Sequence, residues 1–286
     1  MQKKLLVAAL GTLFAMPVLA ADAPAAPAAP YTITSNVGIT TDYTFRGISQ
    51  NLRSPTIQGG FDFVHTNGVY LGTWASNVSG AQYNNASMEW DLYGGYNGTV
   101  NADLTYNVGL IDVIYPNGNT ATNGTGKKYD TAEFQFGGTF KGVNVAYHYS
   151  LTNWFGISNE TGGNGFDPLR IVNNVATTST SDKANVGSKG SGYLEANYTY
   201  TFAGDVGLSF HAGHQKIRNF GALSYTDYKI GISKPVSGYT LGAAYTSTNA
   251  SDNQLTHIAP GANIMATTAN KNLRDGYLAV SVSRSF

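Results

Sequence analysis

Gly276-Tyr277-Leu278-Ala279-Val280-Ser281-Val282-Ser283-Arg284-Ser285-Phe286 is the stretch that decides the fold. Leu278, Val280, Val282 and Phe286 fall on one side of an extended chain, and Ala279, Ser281, Ser283 and Ser285 fall on the other. Period-two alternation of this kind is the mark of a strand with one apolar and one polar face. It ends on a terminal aromatic. Outer-membrane barrels commonly close with such a strand, and their assembly machinery reads the aromatic, so Phe286 is the candidate assembly signal.

The N-terminus agrees with that compartment. Lys3 and Lys4 precede a mostly apolar run from Leu5 to Leu19, and Val18-Leu19-Ala20 fits a small-residue cleavage site. Residues 1–20 therefore read as a signal peptide. The run is short for a membrane-spanning helix of about 20 residues, and no later stretch approaches that length. Residues 21–31 begin with ADAPAAPAAP, a Pro-rich lead-in with nothing to build a core. Residues 32–286 form the barrel unit.

Composition narrows the class. The chain carries 17 basic and 17 acidic residues, and loss of Lys3 and Lys4 leaves 15 against 17, near −2. That balance excludes a basic nucleic-acid-binding surface. There is no cysteine, as suits a chain crossing the periplasm unfolded. Charged residues make up 12%, about half the share usual in soluble domains. Apolar-outward and polar-inward residues average to this profile in transmembrane barrels.

Twelve period-two segments are predicted, at 32–46, 55–65, 68–76, 87–97, 99–115, 129–140, 142–154, 191–203, 205–216, 224–234, 238–249 and 276–286. Thr66-Asn67, Asn97-Gly98, Lys141-Gly142, Gly204-Asp205 and Val236-Ser237-Gly238 suit tight hairpin turns. The connections between these hairpins are longer, the longest being 156–190 and 250–275. Short and long connections alternate strictly. The expected fold is thus all-β: an antiparallel transmembrane β-barrel of about 12 strands, with short periplasmic turns and long extracellular loops.

The aromatic and aliphatic face of each segment is expected to meet lipid, with Tyr43, Phe45, Tyr96, Phe140, Phe202 and Tyr239 in the interfacial girdles. The opposite face carries nearly all strand charges. Asp42, Asp62, Glu89, Asp91, Asp103, Glu133, Glu195 and Asp227, with Arg46, Lys229, His148 and His211, are the expected pore-lining residues. For each acid the alternative is a wall residue paired across strands. The surplus of acids suggests a cation bias. Twelve strands lie between filled eight-stranded barrels and wide porins, so the pore should be narrow, with inward loops or the lead-in as possible partial plugs.

The run Thr41-Asp42-Tyr43-Thr44-Phe45-Arg46-Gly47-Ile48-Ser49-Gln50 opens a longer pattern. It continues through Gln58-Gly59-Gly60-Phe61-Asp62, Gly72-Thr73-Trp74-Ala75-Ser76-Asn77-Val78 and Asp91-Leu92-Tyr93-Gly94-Gly95-Tyr96. This resembles the TorF-type porin family, also labelled Gcw_chp, most clearly over residues 33–140. The resemblance implies an outer-membrane barrel with channel activity and no defined substrate. Arg284 departs from the usual pattern, because an apolar residue often stands two before the end. A long basic side chain can snorkel there. Arg46 should lie near the outer mouth, either shaping a constriction or fixing register through an ion pair.

A hydrolase and an adhesive barrel are the two alternative classes. A hydrolase would need a nucleophile and base in contact; His148 and Ser150 share a face with Asn144 nearby, but no nucleophile elbow, metal cluster or phosphate loop accompanies them. An adhesive barrel would use the 156–190 and 250–275 loops to hold a partner. The expected activity is passive diffusion of small polar solutes or ions, without enzyme chemistry or cofactor. The expected partners are outer-membrane lipid, the assembly machinery and the solutes.

Overall fold

The computed structural model describes residues 29–80, 82–119, 127–158, 186–250 and 276–286. The signal peptide, most of the lead-in and most of the two longest loops lie outside these residues. The strands are β1 (Tyr31–Thr40), β2 (Thr44–Phe45), β3 (Ile48–Ser49), β4 (Thr56–His65), β5 (Val69–Asn77), β6 (Met88–Thr99) and β7 (Leu104–Ile114). They continue as β8 (Thr131–Phe140), β9 (Val143–Ser150), β10 (Gly192–Thr201), β11 (Gly207–Lys216), β12 (Tyr225–Val236), β13 (Tyr239–Thr248) and β14 (Tyr277–Ser285). β1 and β4 to β14 form one closed antiparallel barrel, and β2 and β3 form a separate two-stranded hairpin.

All twelve expected segments became barrel strands. Closure removes the unpaired edges that would otherwise invite aggregation. The seam joins β14 to β1, pairing Asn36–Thr40 with Ser285–Ser281. Phe286 extends it, because its N–H donates to the Ser35 carbonyl at 2.9 Å and its carbonyl accepts from Ser35 N–H at 3.1 Å. Both described chain ends therefore lie at the end of the barrel that carries the short turns.

The turn chemistry is as expected at most positions. Lys141-Gly142 and Ser237-Gly238 hold paired positive φ values of 49° and 88°, and of 51° and 83°, the type I′ geometry that matches strand twist. One turn differs. β6 runs on through Asn97-Gly98 to Thr99, and the reversal occurs at Val100–Asp103. Asn101 fixes it there by accepting from the N–H groups of Asp103 and Leu104. Asn-Gly can reverse a chain but need not where the ladder still finds partners.

The faces sort as the pattern requires. Leu278, Val280 and Val282 point outward, as do Phe61, Leu71, Leu92, Leu110, Phe134, Phe136, Tyr147, Leu194, Ile230 and Leu241. Exposed apolar area this continuous far exceeds the few hundred Å² found on soluble monomers. Arg284 also points outward, with its guanidinium 5.3 Å from the Tyr239 ring centre and 5.0 Å from that of Phe286. Its charge thus rests on two rings at the turn end.

The first strand ends early. β1 stops at Thr40, not at residue 46, and the chain turns into the barrel. Tyr43 is buried, and Phe45 packs against the internal cluster. Neither belongs to a girdle. Tyr70 and Trp74 likewise face inward, while Phe61 and Tyr96 face out.

Candidate functional site

The hairpin β2–β3 fills the loop-end half of the lumen. Arg46 and Gly47 form its two-residue tip, with φ of 45° and 80°. Thr44 pairs with Ser49 and Phe45 with Ile48. Its flanks are tied internally: Ser49 Oγ donates to Asp42 Oδ1 at 2.7 Å, and Gln50 Nε2 donates to the Ile48 carbonyl at 2.7 Å. A cap of loop residues covers it. Gln82 Nε2 donates to the Ser49 carbonyl at 2.8 Å, and the Tyr83 hydroxyl donates to Gln50 Oε1.

Around the hairpin lies an apolar core inside the barrel. Tyr43, Ile48, Tyr83, Tyr115, Tyr129, Trp154, Phe155, Ile217, Phe220 and Tyr225 belong to it. Tyr83 stacks on Tyr115 with ring centres 4.3 Å apart, and Tyr43 meets Trp74 edge-on at 5.2 Å. Burial pushes the Tyr83 and Tyr115 phenols well above their ordinary range, and the Glu89 carboxylate adds to the effect. Both remain donors. Tyr43 and Tyr115 give their hydroxyls to the two oxygens of Glu89, the first at 2.5 Å.

Arg46 crosses the lumen from the hairpin tip to the far wall. Its Nη2 donates to Glu133 Oε2 at 2.5 Å, and its Nη1 donates to Glu133 Oε1 at 3.0 Å and to Gln215 Oε1 at 2.8 Å. The guanidinium also lies 4.3 Å from the Tyr193 ring centre and 4.7 Å from that of Phe45. A bidentate fork on a carboxylate is the strongest form of such a pair. Its partners stand on β8, β10 and β11, across the barrel from β1.

The network continues along the wall. Ser150 Oγ donates to Glu133 Oε1 at 3.2 Å. His148 Nε2 is 3.0 Å from Glu195 Oε1, and its Nδ1 is 3.7 Å from Glu133 Oε2. His211 Nε2 is 2.9 Å from Asp227 Oδ2, and its Nδ1 is 2.7 Å from Asn197 Oδ1. The Tyr193 hydroxyl donates to Asp227 Oδ1 at 3.0 Å. Lys229 stands in the field of Glu195 and Asp227. Acids and bases thus alternate from Arg46 to Lys229.

The expected lining residues divide into three groups. Arg46, Glu133, His148, Glu195, His211, Asp227 and Lys229 are brought together in this network. Asp62, Glu89 and Asp91 face inward on β4 and β6, where Tyr93 donates to Asp62 Oδ1 at 2.6 Å. Asp42 is buried at the hairpin base and not on a strand. Asp103 is a correction: it is exposed in the Val100–Asp103 turn and lines nothing, because β7 begins one residue later. His148 and Ser150 do not meet as base and nucleophile. Each is buried and engaged by an acid.

An inward loop as a partial plug is the sequence expectation; its aromatic packing is not, although a signal for it exists. Ile111 and Val113 point inward while Asp112 points out. That inversion of polarity near one end of β7 marks a lumen that is apolar there. Toward the turn end the inward positions revert to small polar residues, among them Asn144, Asn197, Thr199, Ser209 and Ser233.

Gly47 shows how closely the tip is seated. A Cβ on it would lie 2.4 Å from Asp227 Cβ and 3.3 Å from Thr248 Cβ, in addition to the strain of positive φ. Gly47→Val is therefore expected to unseat the hairpin while leaving the barrel ladder intact. Limited proteolysis should cut within residues 41–55 of the variant and spare the parent; equal resistance of both would refute the seating.

Closed up-and-down architecture, an apolar outer belt and a lumenal hairpin define the class: a transmembrane-type β-barrel with an internally latched plug. The particular family is the one described as "Bacterial protein of unknown function (Gcw_chp)", which matches residues 24–286, and the chain belongs to it. No curated protein matches by sequence. Among solved structures, a KdgM porin is similar at 11% identity and a TM-score of 0.47, covering 88% of this chain and 99% of its own. A NanC porin is similar at 10% identity and a TM-score of 0.49, with the same coverage of 88% and 99%. Outer membrane phospholipase A from Escherichia coli is similar at 12% identity and a TM-score of 0.41, covering 88% and 92%.

Proposed function

We propose that the protein is an outer-membrane channel for passive diffusion of small polar solutes or ions, held shut or narrowed at its outer mouth by the β2–β3 hairpin. The observation that carries this reading is the sorting of the wall: most apolar strand residues outward and most polar strand residues inward. A soluble barrel would have no use for the outer belt, and a purely structural one would have no use for a polar lumen. On this reading the turn end is periplasmic and the loop end extracellular. Permeation needs no covalent step. Inward acids give the lumen a cation bias.

Single-channel recording in planar bilayers with a solute series in liposome swelling tests the proposal. Conductance with a cation-selective reversal potential is the expected result, in the parent or once the hairpin is unseated by Gly47→Val, and a folded barrel that passes neither ions nor solutes in either form would end it. Glu195→Gln is expected to shift the reversal potential toward zero, because it removes one inward carboxylate and leaves Lys229 in place; an unchanged potential would mean that Glu195 does not face the ion path. The outer belt has its own test. Val280→Arg places a charge against lipid, at a cost of about 2–4 kcal/mol near the midplane, and should lower the urea midpoint of folding into vesicles without altering the behaviour of the chain in solution.

A further inference from the structure

One stretch of the outward wall is grooved. Ala196 on β10 and Ala212 on β11 are directly paired, and both point outward. Their small side chains leave a groove of ≈ 440 Å³ bounded by Tyr198, Phe210, Tyr228, Ile230 and Tyr245. It is nearly all apolar. Tyr198 is paired with Phe210 directly below, so the groove has an aromatic floor on its turn-end side.

A basic cluster stands above the groove, at the loop ends of the same two strands. His214, Lys216 and Arg218 succeed Ala212 on the outward parity of the chain and are all exposed. Arg218 Nη1 donates to the carbonyl of Lys189, itself exposed, at 3.3 Å, which brings a fourth basic residue to the rim. Lys216 is paired with Gly192, and the outward pair Leu194–His214 stands between it and the Ala196–Ala212 pair. The outward positions of β9 to β13 include no acid. On β7, by contrast, the corresponding rim position is Asp112. Positive charge is therefore gathered over this groove. From Ala212 to Lys216 is about 13 Å along a strand, of the order of half the ~30 Å hydrocarbon thickness. That is the separation between the phosphate and the mid-chain of a lipid in one leaflet.

We propose that β10–β11 holds one phosphorylated glycolipid of the outer leaflet, with its phosphate on His214, Lys216, Arg218 and Lys189 and an acyl chain in the Ala196–Ala212 groove. Charge complementarity selects the headgroup, and the notch selects the chain. Basic clusters at a membrane rim recognise anionic headgroups in the same way elsewhere. The proposal rests on the outer-membrane reading with the loop end outermost, but not on channel activity.

Native mass spectrometry of the full chain in detergent tests it, with a bisphosphorylated lipid A, its dephosphorylated form and phosphatidylglycerol as probes. One bound lipid A is expected, with at least about tenfold weaker retention of the other two. Lys216→Gln/Arg218→Gln should abolish the preference for phosphate. Ala212→Leu should weaken all binding by filling the notch, and neither change touches the lumen, so conductance should stay at the parental level. Equal retention of the dephosphorylated form overturns phosphate recognition, and equal retention of phosphatidylglycerol overturns the choice of a glycolipid. No lipid retained by a barrel that still inserts and conducts overturns the site while leaving the channel intact. A chain that does not enter membranes at all overturns both readings, and it does so in the insertion assay before lipid is added.

Discussion

Arg46→Ala is expected to open the barrel. In the seated state the guanidinium neutralises Glu133 inside the lumen, where both side chains are about 95% buried (6% and 4% exposed). Truncating one partner of such a pair leaves the other charge buried and alone, at a cost of about 3–5 kcal/mol. Here the chain has an escape that a solid core lacks: the hairpin can leave the lumen and let water reach Glu133. The cost therefore falls on the seated state more than on the barrel. At 1.4 kcal/mol per tenfold change, the ratio of seated to withdrawn hairpin should fall by about a hundredfold or more. The readout is single-channel conductance, with long high-conductance dwells in the variant that are rare in the parent. Glu133→Leu combined with Arg46→Met should restore closure, because an apolar pair of similar volume needs no charge compensation. Parental conductance in Arg46→Ala with an intact barrel would show that the latch does not control the pore.

The same residues explain what was legible in the sequence and what was not. Strand existence was readable because period two leaves no choice of face: Leu278, Val280 and Val282 cannot turn inward without turning Ala279, Ser281 and Ser283 out. The tight turns were readable from Lys141-Gly142 and Ser237-Gly238, since few dipeptides accept two positive φ values. The end of β1 was not readable. Thr41, Tyr43 and Phe45 continue the parity of Ile39, and an aromatic ring is equally apolar whether it meets lipid or a lumenal core. What distinguishes them is tertiary: Glu89 waits for the Tyr43 hydroxyl, and Phe155 meets Phe45 with ring centres 6.0 Å apart. The one local hint is the pair Arg46-Gly47 between two extended pairs, a hairpin tip too short to be separated from the preceding strand by periodicity alone. The charge network was half legible. Parity put Glu133, His148, Glu195, His211 and Asp227 on the inner face, but their order of contact depends on strand register and on a hairpin entering from the opposite wall.

Register also places the plug. Glu133 is the third residue of β8, and Asp227 the third of β12, each counted from the loop end. The tip of a hairpin that leaves β1 at that end can reach both walls at one level. The inward apolar residues Ile111 and Val113 then face it and not water. Barrel and plug therefore impose opposite demands on neighbouring residues of β7, and the inversion at Asp112 is where the two demands meet.

Removal of Phe286 is expected to stop assembly at the seam. The β14–β1 pairing is the shorter side of β1: five residue pairs, against ten where β1 meets β4. Phe286 adds two backbone hydrogen bonds to that seam through Ser35, at about 1 kcal/mol each. It also adds a ring that is 66% exposed on the outward face and shares the Arg284 guanidinium with Tyr239. Elsewhere on the wall such a loss would be absorbed by neighbours on both sides. At the seam it is not, since closure must bring together two strands at opposite ends of the chain, and the entropy of that long loop opposes it. Deleting Phe286 should therefore lower the yield of folded barrel by about thirtyfold or more, on the scale of those two bonds and the lost ring contact (1.4 kcal/mol per tenfold). The unclosed chain should accumulate in soluble or protease-sensitive form. Heat-modifiable migration on gels measures the closed fraction. Phe286→Tyr keeps the bonds and the ring and should restore it, whereas Phe286→Gly keeps only the bonds. If the Gly variant closes as well as the parent, the ring is dispensable and the seam needs backbone alone; if deletion itself leaves the closed fraction unchanged, the last residue has no part in closure.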